Sequence, residues 1–450
     1  MTTLVPPSST TASVPVRPLA ELADAVAQVP LVDGSTARFV NLDYAASAPP
    51  LASVHRAVTR TLSYYASIHR GQSYLSRVST AAYERARDTV ALRTGARADD
   101  VVVFTRNTTD ALNLLAGAVP GRVVHLDIEH HANLLPWLES DAASTAVPAG
   151  ATFEETFEAL DRELGRAPAA LLAITGASNV TGECPPLQRL ARLAHRHGAR
   201  LAVDGAQLAP HRRVQIEASG IDYLAISGHK LYAPYGGGAL IGRRDWLDAA
   251  EPHLPGGGAV VNVTLERAQW KPSPARHEGG TPNLVGAVAL AAGLEALDEL
   301  GHDRIVAHET ALYERLERGL CVLGIPVLRI WPERHDLVAV ASFTVPGRRA
   351  DLVAAYLSAE HGIGVRGGRF CAHPLLERLG LADDGAARVS IGLGTGGEDV
   401  DALLGALERL LSHGPGWAYA TDESGELAPS PDPRPSMVDA VLAGRFAFVD

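Results

Sequence analysis

The chain has 450 residues, 46% hydrophobic and 20% charged, with a formal net charge of −11. That balance describes a soluble globular protein with room for two or three domains, and the acidic surplus argues against a role on nucleic acid or on an anionic membrane. Three cysteines (Cys184, Cys321 and Cys371), no CxxC pair and no apolar run of membrane-spanning length exclude a disulfide scaffold, a zinc site of the paired-cysteine kind and a transmembrane helix. A reducing, cytoplasmic setting is expected.

The first 17 residues are rich in Ser, Thr, Val and Pro and lack a basic start followed by an apolar stretch. They read as a disordered arm, not a signal peptide. Strand candidates lie at Val101–Phe104, Arg122–Leu126, Ala169–Thr175, Arg200–Asp204, Asp222–Ile226 and Ala239–Gly242, with helix candidates at Ser79–Thr94, Thr108–Ala118, Pro185–His197 and Ile216–Ser219. Near-continuous Val, Ile and Leu strands separated by helices predict a mostly parallel sheet covered on both faces. In such a sheet a ligand lies beyond the carboxyl ends of the strands. From about Ala287 the pattern changes: helical stretches Leu284–Leu300 and Asp303–Leu323, then Leu337–Val345, helix Ala350–Ala359 and strand Ala387–Ile391. This reads as a smaller α+β domain. Gly414–Pro435, with proline at 429, 431, 433 and 435, reads as a loose tail.

Lysine is almost absent. Of 40 basic residues only Lys230 and Lys271 are lysine, which leaves 38 arginines. Arginine holds its proton too tightly to serve as an amine nucleophile, whereas a desolvated lysine can lose it and form an imine. Lys230 ends Ser227-Gly228-His229-Lys230, directly after an apolar strand candidate and before Tyr235-Gly236-Gly237-Gly238. That position suggests a Schiff base to an aldehyde cofactor; a drifted surface lysine is the plain alternative.

Five neighbouring signals fit a pyridoxal phosphate pocket. Thr105 to Thr109 lead from a strand into a helix, where free amides and the hydroxyls of Thr108 and Thr109 suit a phosphate, or simply cap the helix. Asp204 ends a strand and can keep a pyridine nitrogen protonated, with Gln207 near the ring oxygen. In Glu129-His130-His131 a flat imidazole can stack on a ring and move protons; a solvated turn is the ordinary reading of two adjacent histidines. Ser227 and His229 flank Lys230 as further phosphate donors, or as turn residues. Arg366-Gly367-Gly368-Arg369-Phe370-Cys371 joins carboxylate-binding arginines to a cysteine whose surroundings favour a thiolate nucleophile.

Taken in order, these segments resemble the class V aminotransferase family of fold-type I pyridoxal phosphate enzymes, and within it the group II cysteine desulfurases and selenocysteine lyases. The stretches that carry the likeness include Asn41-Leu42-Asp43-Tyr44-Ala45-Ala46, His69-Arg70-Gly71, Phe104–Asn113, Glu129–Trp137, Ser178-Asn179-Val180-Thr181-Gly182, Val203–Gln207, Ser227–Tyr232, Gly279-Gly280-Thr281-Pro282-Asn283 and Arg366–Pro374. The resemblance implies an α/β fold: a large domain over 41–285 with a mostly parallel seven-stranded sheet, a small α+β domain over 286–412 joined by the segment 18–40, and a C-terminal extension over 413–450.

By the same resemblance Lys230 carries the cofactor, Asp204 pairs with its ring nitrogen, Gln207 contacts the ring oxygen and His130 stacks on the ring. Thr108, Thr109, Ser227 and His229 bind the phosphate, joined by Thr281 of the second subunit of a homodimer with active sites at the interface. Asn179, which also touches the cofactor, holds the substrate carboxylate with Arg388; Arg366 and His69 complete the substrate site. Cys371 takes sulfur from L-cysteine as a persulfide, leaves L-alanine and passes the sulfur to an acceptor protein. No metal is implied.

Several residues depart from the family's usual pattern. Arg369 and Phe370 stand where histidines usually precede the cysteine, Asn107 where glycine is common and Tyr235 where a smaller residue is frequent. These differences keep open a C–S lyase, epimerase or aminotransferase acting on another amino acid in specialised metabolism.

Overall fold

The computed structural model describes residues 16–23, 28–333, 336–421, 425 and 427–435. Seven strands form the main sheet: β1 (Asp100–Thr105), β2 (Val123–Leu126), β3 (Ser144–Val147), β4 (Leu171–Thr175), β5 (Arg200–Asp204), β6 (Tyr223–Ser227) and β7 (Gly238–Arg243). Their order across the sheet is β1-β7-β6-β5-β4-β2-β3. Only β7 runs against its neighbours β1 and β6; the other pairings are parallel. Every residue of β4 and β6 is buried. Both faces are therefore covered, which is why these strands read as unbroken apolar runs rather than alternating ones.

The edge strand β3 has no counterpart among the strands expected from sequence. Its residues Ser144, Thr145, Ala146 and Val147 leave only Val147 buried. An edge strand with one solvated face needs no apolar run.

The second sheet is antiparallel, with β8 (Val340–Phe343), β9 (Arg366–Gly368) and β10 (Ala386–Ser390) in the order β8-β10-β9. The helices that frame the two sheets include α1 (Ala52–Leu62), α2 (Tyr74–Arg93), α3 (Thr108–Ala116), α4 (Leu284–Leu300), α5 (His302–Val322), α6 (Ala350–His361) and α7 (Gly397–His413). Helix α4 is apolar nearly all round and packs against α1 and α2, so Leu284, Ala287 and Leu290 share the core of the large sheet. Further on, Leu312, Leu316 and Leu320 of α5 pack with Val353 and Leu357 of α6 and Leu403 and Leu407 of α7. Helix α5 thus touches two apolar clusters, with Ile305 in the first and Leu312, Leu316 and Leu320 in the second. An apolar helix looks the same in sequence whichever core it fills.

Residues 1–15 of the expected arm lie outside the described residues, and Val16 accepts a hydrogen bond from the Gly397 amide at the start of α7 (2.8 Å). The segment read as a loose tail requires a correction. Tyr419–Thr421 pairs with Leu427–Pro429 as a two-stranded hairpin, and the Trp417 indole N–H donates to the Pro431 carbonyl (2.7 Å). Glu360 at the end of α6 accepts from the amides of Gly416 and Trp417 and from the Tyr419 hydroxyl. Two aromatic rings and one carboxylate fasten a segment whose proline and glycine content alone suggested no structure.

Glu360→Ala removes three acceptor contacts and is expected to lower unfolding stability by about 1–2 kcal/mol, with Glu360→Gln intermediate. Urea denaturation of the three proteins checks this, and identical midpoints would refute the anchoring.

Candidate active site

The carboxyl ends of β4, β5 and β6 open into one cavity of about 230 Å³. Thr108, Thr109, His130, Asn179, Asp204, Gln207, Ser227, His229, Lys230, Arg366 and Arg388 all line it. These eleven residues come from seven separate stretches of sequence, brought together because each lies just past a strand end or on the small sheet beside them.

Lys230 sits in the tight turn after β6, where the Leu231 and Ala233 amides bond back to the Gly228 carbonyl (2.9 Å each). A Cβ on Gly228 would meet the Gly237 carbonyl oxygen at 2.6 Å, so this turn closes only with glycine there. Burial is the main cause that drops the Lys230 amine to about 8; the cations Arg388 and Arg366 add to it, and Asp204 opposes it. Asp204, at the end of β5, is pushed up by the same burial and pulled down by Lys230; its Oδ1 accepts from the Ala206 amide (3.0 Å).

His130 comes after β2. Its Nδ1 accepts from the Ala132 amide (2.9 Å), so the neutral ring carries its proton on Nε2. Burial, with Lys230 second, lowers this imidazole to about 3 and keeps it uncharged at neutral pH. His229 is likewise held down, to about 4, by burial and then by Lys230. Beneath the cavity Glu129 is pushed up to about 8 by burial, and its Oε2 accepts from Asn133 Nδ2 (2.7 Å).

At one end of the cavity, the Thr108 amide donates to Ser227 Oγ (2.9 Å) at the start of α3. That hydroxyl keeps its own proton free for another acceptor. At the other end Arg366 and Arg388 face one another across β9 and β10. Arg388 is 1% exposed, donates to Asp43 Oδ1 (2.7 Å) and to the Asn179 carbonyl (3.1 Å), and lies over the Phe370 ring (5.2 Å). Asn179 Nδ2 donates to the Phe370 carbonyl (2.8 Å). Cys371 stands at the same end, with Arg366 Nη2 3.9 Å from its Sγ. The other two cysteines differ: burial raises the Cys184 thiol to about 12, and Cys321 is exposed on α5.

Thr108 Oγ1, Gln207 Oε1 and Arg388 Nε are buried without a hydrogen-bond partner among the described residues. Buried polar atoms are rarely left so. Their spread along the cavity calls for a ligand with polar groups at both ends and in the middle.

His69 and Thr281 do not reach the cavity of their own chain. His69, at φ 63°, bonds through Nε2 to Glu84 (2.8 Å) and through its amide to Thr80 Oγ1 (2.8 Å). These bonds hold the ring against Glu84. Thr281 is exposed, next to Gly280, whose carbonyl accepts from Arg70 (2.7 Å). The two residues lie on one edge of the chain. Four contributors were not expected from sequence as site residues: Asp43, Glu129, His131 and Phe370. Asp43 and Glu129 lie inside stretches that carry the family likeness, but a carboxylate's role depends on partners distant in sequence. Phe370 gave a usable signal, a large apolar residue amid Arg and Gly beside a cysteine.

The aminotransferase class-V family model matches residues 40–403. The chain belongs to this family. It is 37% identical over 362 residues to a probable cysteine desulfurase of Mycolicibacterium paratuberculosis, covering 77% of this chain and 52% of that protein. A probable cysteine desulfurase of Halalkalibacterium halodurans is 34% identical over 392 residues, covering 84% of this chain and 94% of that one. The chain spans between 52% and 60% of the length of three curated relatives that it matches. Among solved structures, the apo cysteine desulfurase of Thermococcus onnurineus superposes with a TM-score of 0.76 at 33% identity, covering 83% of this chain and 94% of that one. The α/β fold is that of the fold-type I members of the family. No described helix is long and apolar enough to cross a membrane, and the described residues hold no cluster of three or more metal-ligating side chains.

With burial as the main cause of its lowered pKa, the Lys230 amine becomes neutral as pH rises through about 8. Acylation of Lys230 in ligand-free protein, mapped by peptide mass spectrometry with Lys271 as internal reference, should rise with a midpoint near that value. Labelling that tracks Lys271 at every pH would refute the desolvated amine.

Proposed function

We propose that the protein is a pyridoxal-phosphate-dependent cysteine desulfurase, which converts L-cysteine to L-alanine and keeps the sulfur on Cys371 as a persulfide. The observation that carries this reading is the position of Cys371, beside Arg366 at the arginine end of a cavity that holds a buried lysine at the other side. Relatives and solved structures named as cysteine desulfurases support it.

The residues present fit the cofactor. An amine near pH 8 is ready to condense with an aldehyde, and a buried carboxylate suits a protonated ring nitrogen. Thr108 Oγ1 and Ser227 Oγ are free to donate to a phosphate at the N-terminus of α3, and between the two ends Gln207 keeps its Oε1 free while its Nε2 donates to the Ala45 carbonyl (2.7 Å). Thr109 and His229 line the same end, and the uncharged His130 offers a flat face. Thr281 belongs with the phosphate group of a second subunit, which makes the working protein a homodimer, and His69 lies on the same edge. When bound, the cofactor supplies an electron sink for charge that develops at the substrate Cα.

The protein's own residues do the rest. Arg388 Nε, with Asn179 and Arg366 beside it, binds the substrate carboxylate and orients the amino acid. The Lys230 Nζ lone pair takes the Cα proton. The Cys371 thiolate attacks the substrate sulfur; an S–S bond forms, the Cβ–S bond breaks, and its electron pair stays with the carbon skeleton. Protonation of that skeleton completes alanine, and the persulfide passes to an acceptor protein. Selenocysteine fits the same scheme.

One observation favours a second reading. Phe370 presents an apolar ring to the cavity directly before the cysteine, which suits a C–S lyase, epimerase or aminotransferase whose turnover does not use the thiol.

Product analysis separates the two. Cys371→Ala is expected to bind cofactor and cysteine normally yet to lose persulfide and alanine formation; unchanged alanine release without added thiol would sink the desulfurase reading. Lys230→Ala is expected to lose turnover by roughly 10²–10⁴-fold or more, the scale of a missing proton-transfer group. Near-wild-type rates in that variant would remove the lysine from the reaction.

A further inference from the structure

The loop that carries Cys371 has a backbone it would not adopt unaided. Phe370 and Cys371 are both left-handed, at φ 53° and 55°. Two consecutive non-glycine residues in that region persist only where surrounding contacts hold them. One hold is Asn179, bonded to the Phe370 carbonyl. The other is a single residue that grips the loop twice. The His131 amide donates to the Cys371 carbonyl (2.8 Å), and the His131 ring nitrogen Nε2 accepts from the His373 amide (3.3 Å).

The second bond has a structural logic. His373 opens the short helix His373–Arg378, and an amide at a helix start has no acceptor within its own helix. The His131 imidazole fills that place, and its ring meets the His373 ring edge to face at 4.5 Å. To accept at Nε2, His131 must carry its proton on Nδ1, the opposite tautomer from His130 one residue earlier. Burial, then His373 and Arg369, hold His131 below the ordinary imidazole range, which keeps the lone pair available at neutral pH. One turn of chain therefore presents one imidazole to the cavity and uses the next to fasten the cysteine loop.

We infer that His131 is a positioning residue for sulfur transfer: its main-chain and ring bonds to residues 371 and 373 fix the Cys371 thiol at the cavity mouth. It does not act on the substrate itself. The consequence for catalysis rests on the desulfurase reading; the clamp does not.

The test uses holoenzyme. His131→Phe keeps the main-chain N–H and an aromatic edge for His373 but deletes the ring acceptor; His131→Gln keeps an acceptor. In His131→Phe, hydrogen exchange of the His373 amide and alkylation of Cys371 relative to Cys321 should quicken by about tenfold, the value of one net hydrogen bond. Alanine formation at saturating cysteine should fall by a similar factor, while the cysteine concentration that half-saturates the cofactor's absorbance change stays the same. His131→Gln should restore most of each. Wild-type exchange at His373 in the phenylalanine variant would overturn the inference, as would a glutamine variant just as impaired at an equal thermal midpoint. If the wild type forms no alanine, the desulfurase reading fails, and the exchange and alkylation data alone decide the clamp.

Discussion

A buried lysine amine and a buried carboxylate line one cavity, and the remainder of the site is arranged around that fact. Burial penalises both charges, so the amine falls toward neutrality and the carboxyl rises; each is checked by the presence of the other. The sheet makes this possible. Residues Asp204 and Ser227 end the adjacent parallel strands β5 and β6, and Lys230 comes three residues later, so topology alone brings the two groups to one rim. Close packing then backs that rim. A Cβ on Gly205 would meet Leu224 at 2.6 Å, so the chain after Asp204 turns against the apolar core with no space to spare.

The opposite wall obeys a different logic. Arg366 and Arg388 lie directly across two strands, a like-charge pairing that sheets ordinarily avoid. Asp43 offsets it by engaging Arg388, and the Phe370 ring covers the guanidinium face. Two of the three guanidinium nitrogens of Arg388 are thereby committed, to Asp43 and to the Asn179 carbonyl, and the third, Nε, is buried without a partner among the described residues. The arrangement is incomplete until an anion arrives. A substrate carboxylate satisfies both the excess charge and the orphaned donor, whereas a neutral ligand satisfies neither.

The sequence displayed the inner part of this design and hid the outer part. Strands buried on both faces announce themselves as apolar runs, and the residues just past their ends line the cavity, so Asp204, Lys230 and His130 were legible. The edge strand β3 was not, since one solvated face frees it from any apolar requirement. The hairpin beyond residue 413 was masked by its prolines, and the anchoring by Trp417 and Tyr419 depends on Pro431 and Glu360, which only the fold brings to them. The place of α4 could not be read at all, because uniform apolarity does not say which core a helix enters. His69 exposed a further limit: a motif fixes identity, while a left-handed backbone and Glu84 decide where the ring points.

The residue before the cysteine acts on both walls of the cavity. A histidine there would bring a titratable group to the thiol, whereas Phe370 is 3% exposed and brings none. Apolar burial at this point does two things at once. It screens the Arg388 face from water, which strengthens every interaction that the guanidinium makes with an anion. It also removes one source of protons from the mouth of the cavity. On the desulfurase reading, groups on the cavity lining can then deliver the proton that completes alanine. Neutral His130 holds its proton on Nε2 facing the cavity lining, and Lys230 regains one on taking the Cα hydrogen. With the imidazole held near 3 and the amine near 8, the lysine is the one of these two whose protonation changes near neutral pH. The apolar side chain at 370 thus takes no part in proton delivery itself, and the buried amine from which the site is built is placed to do so.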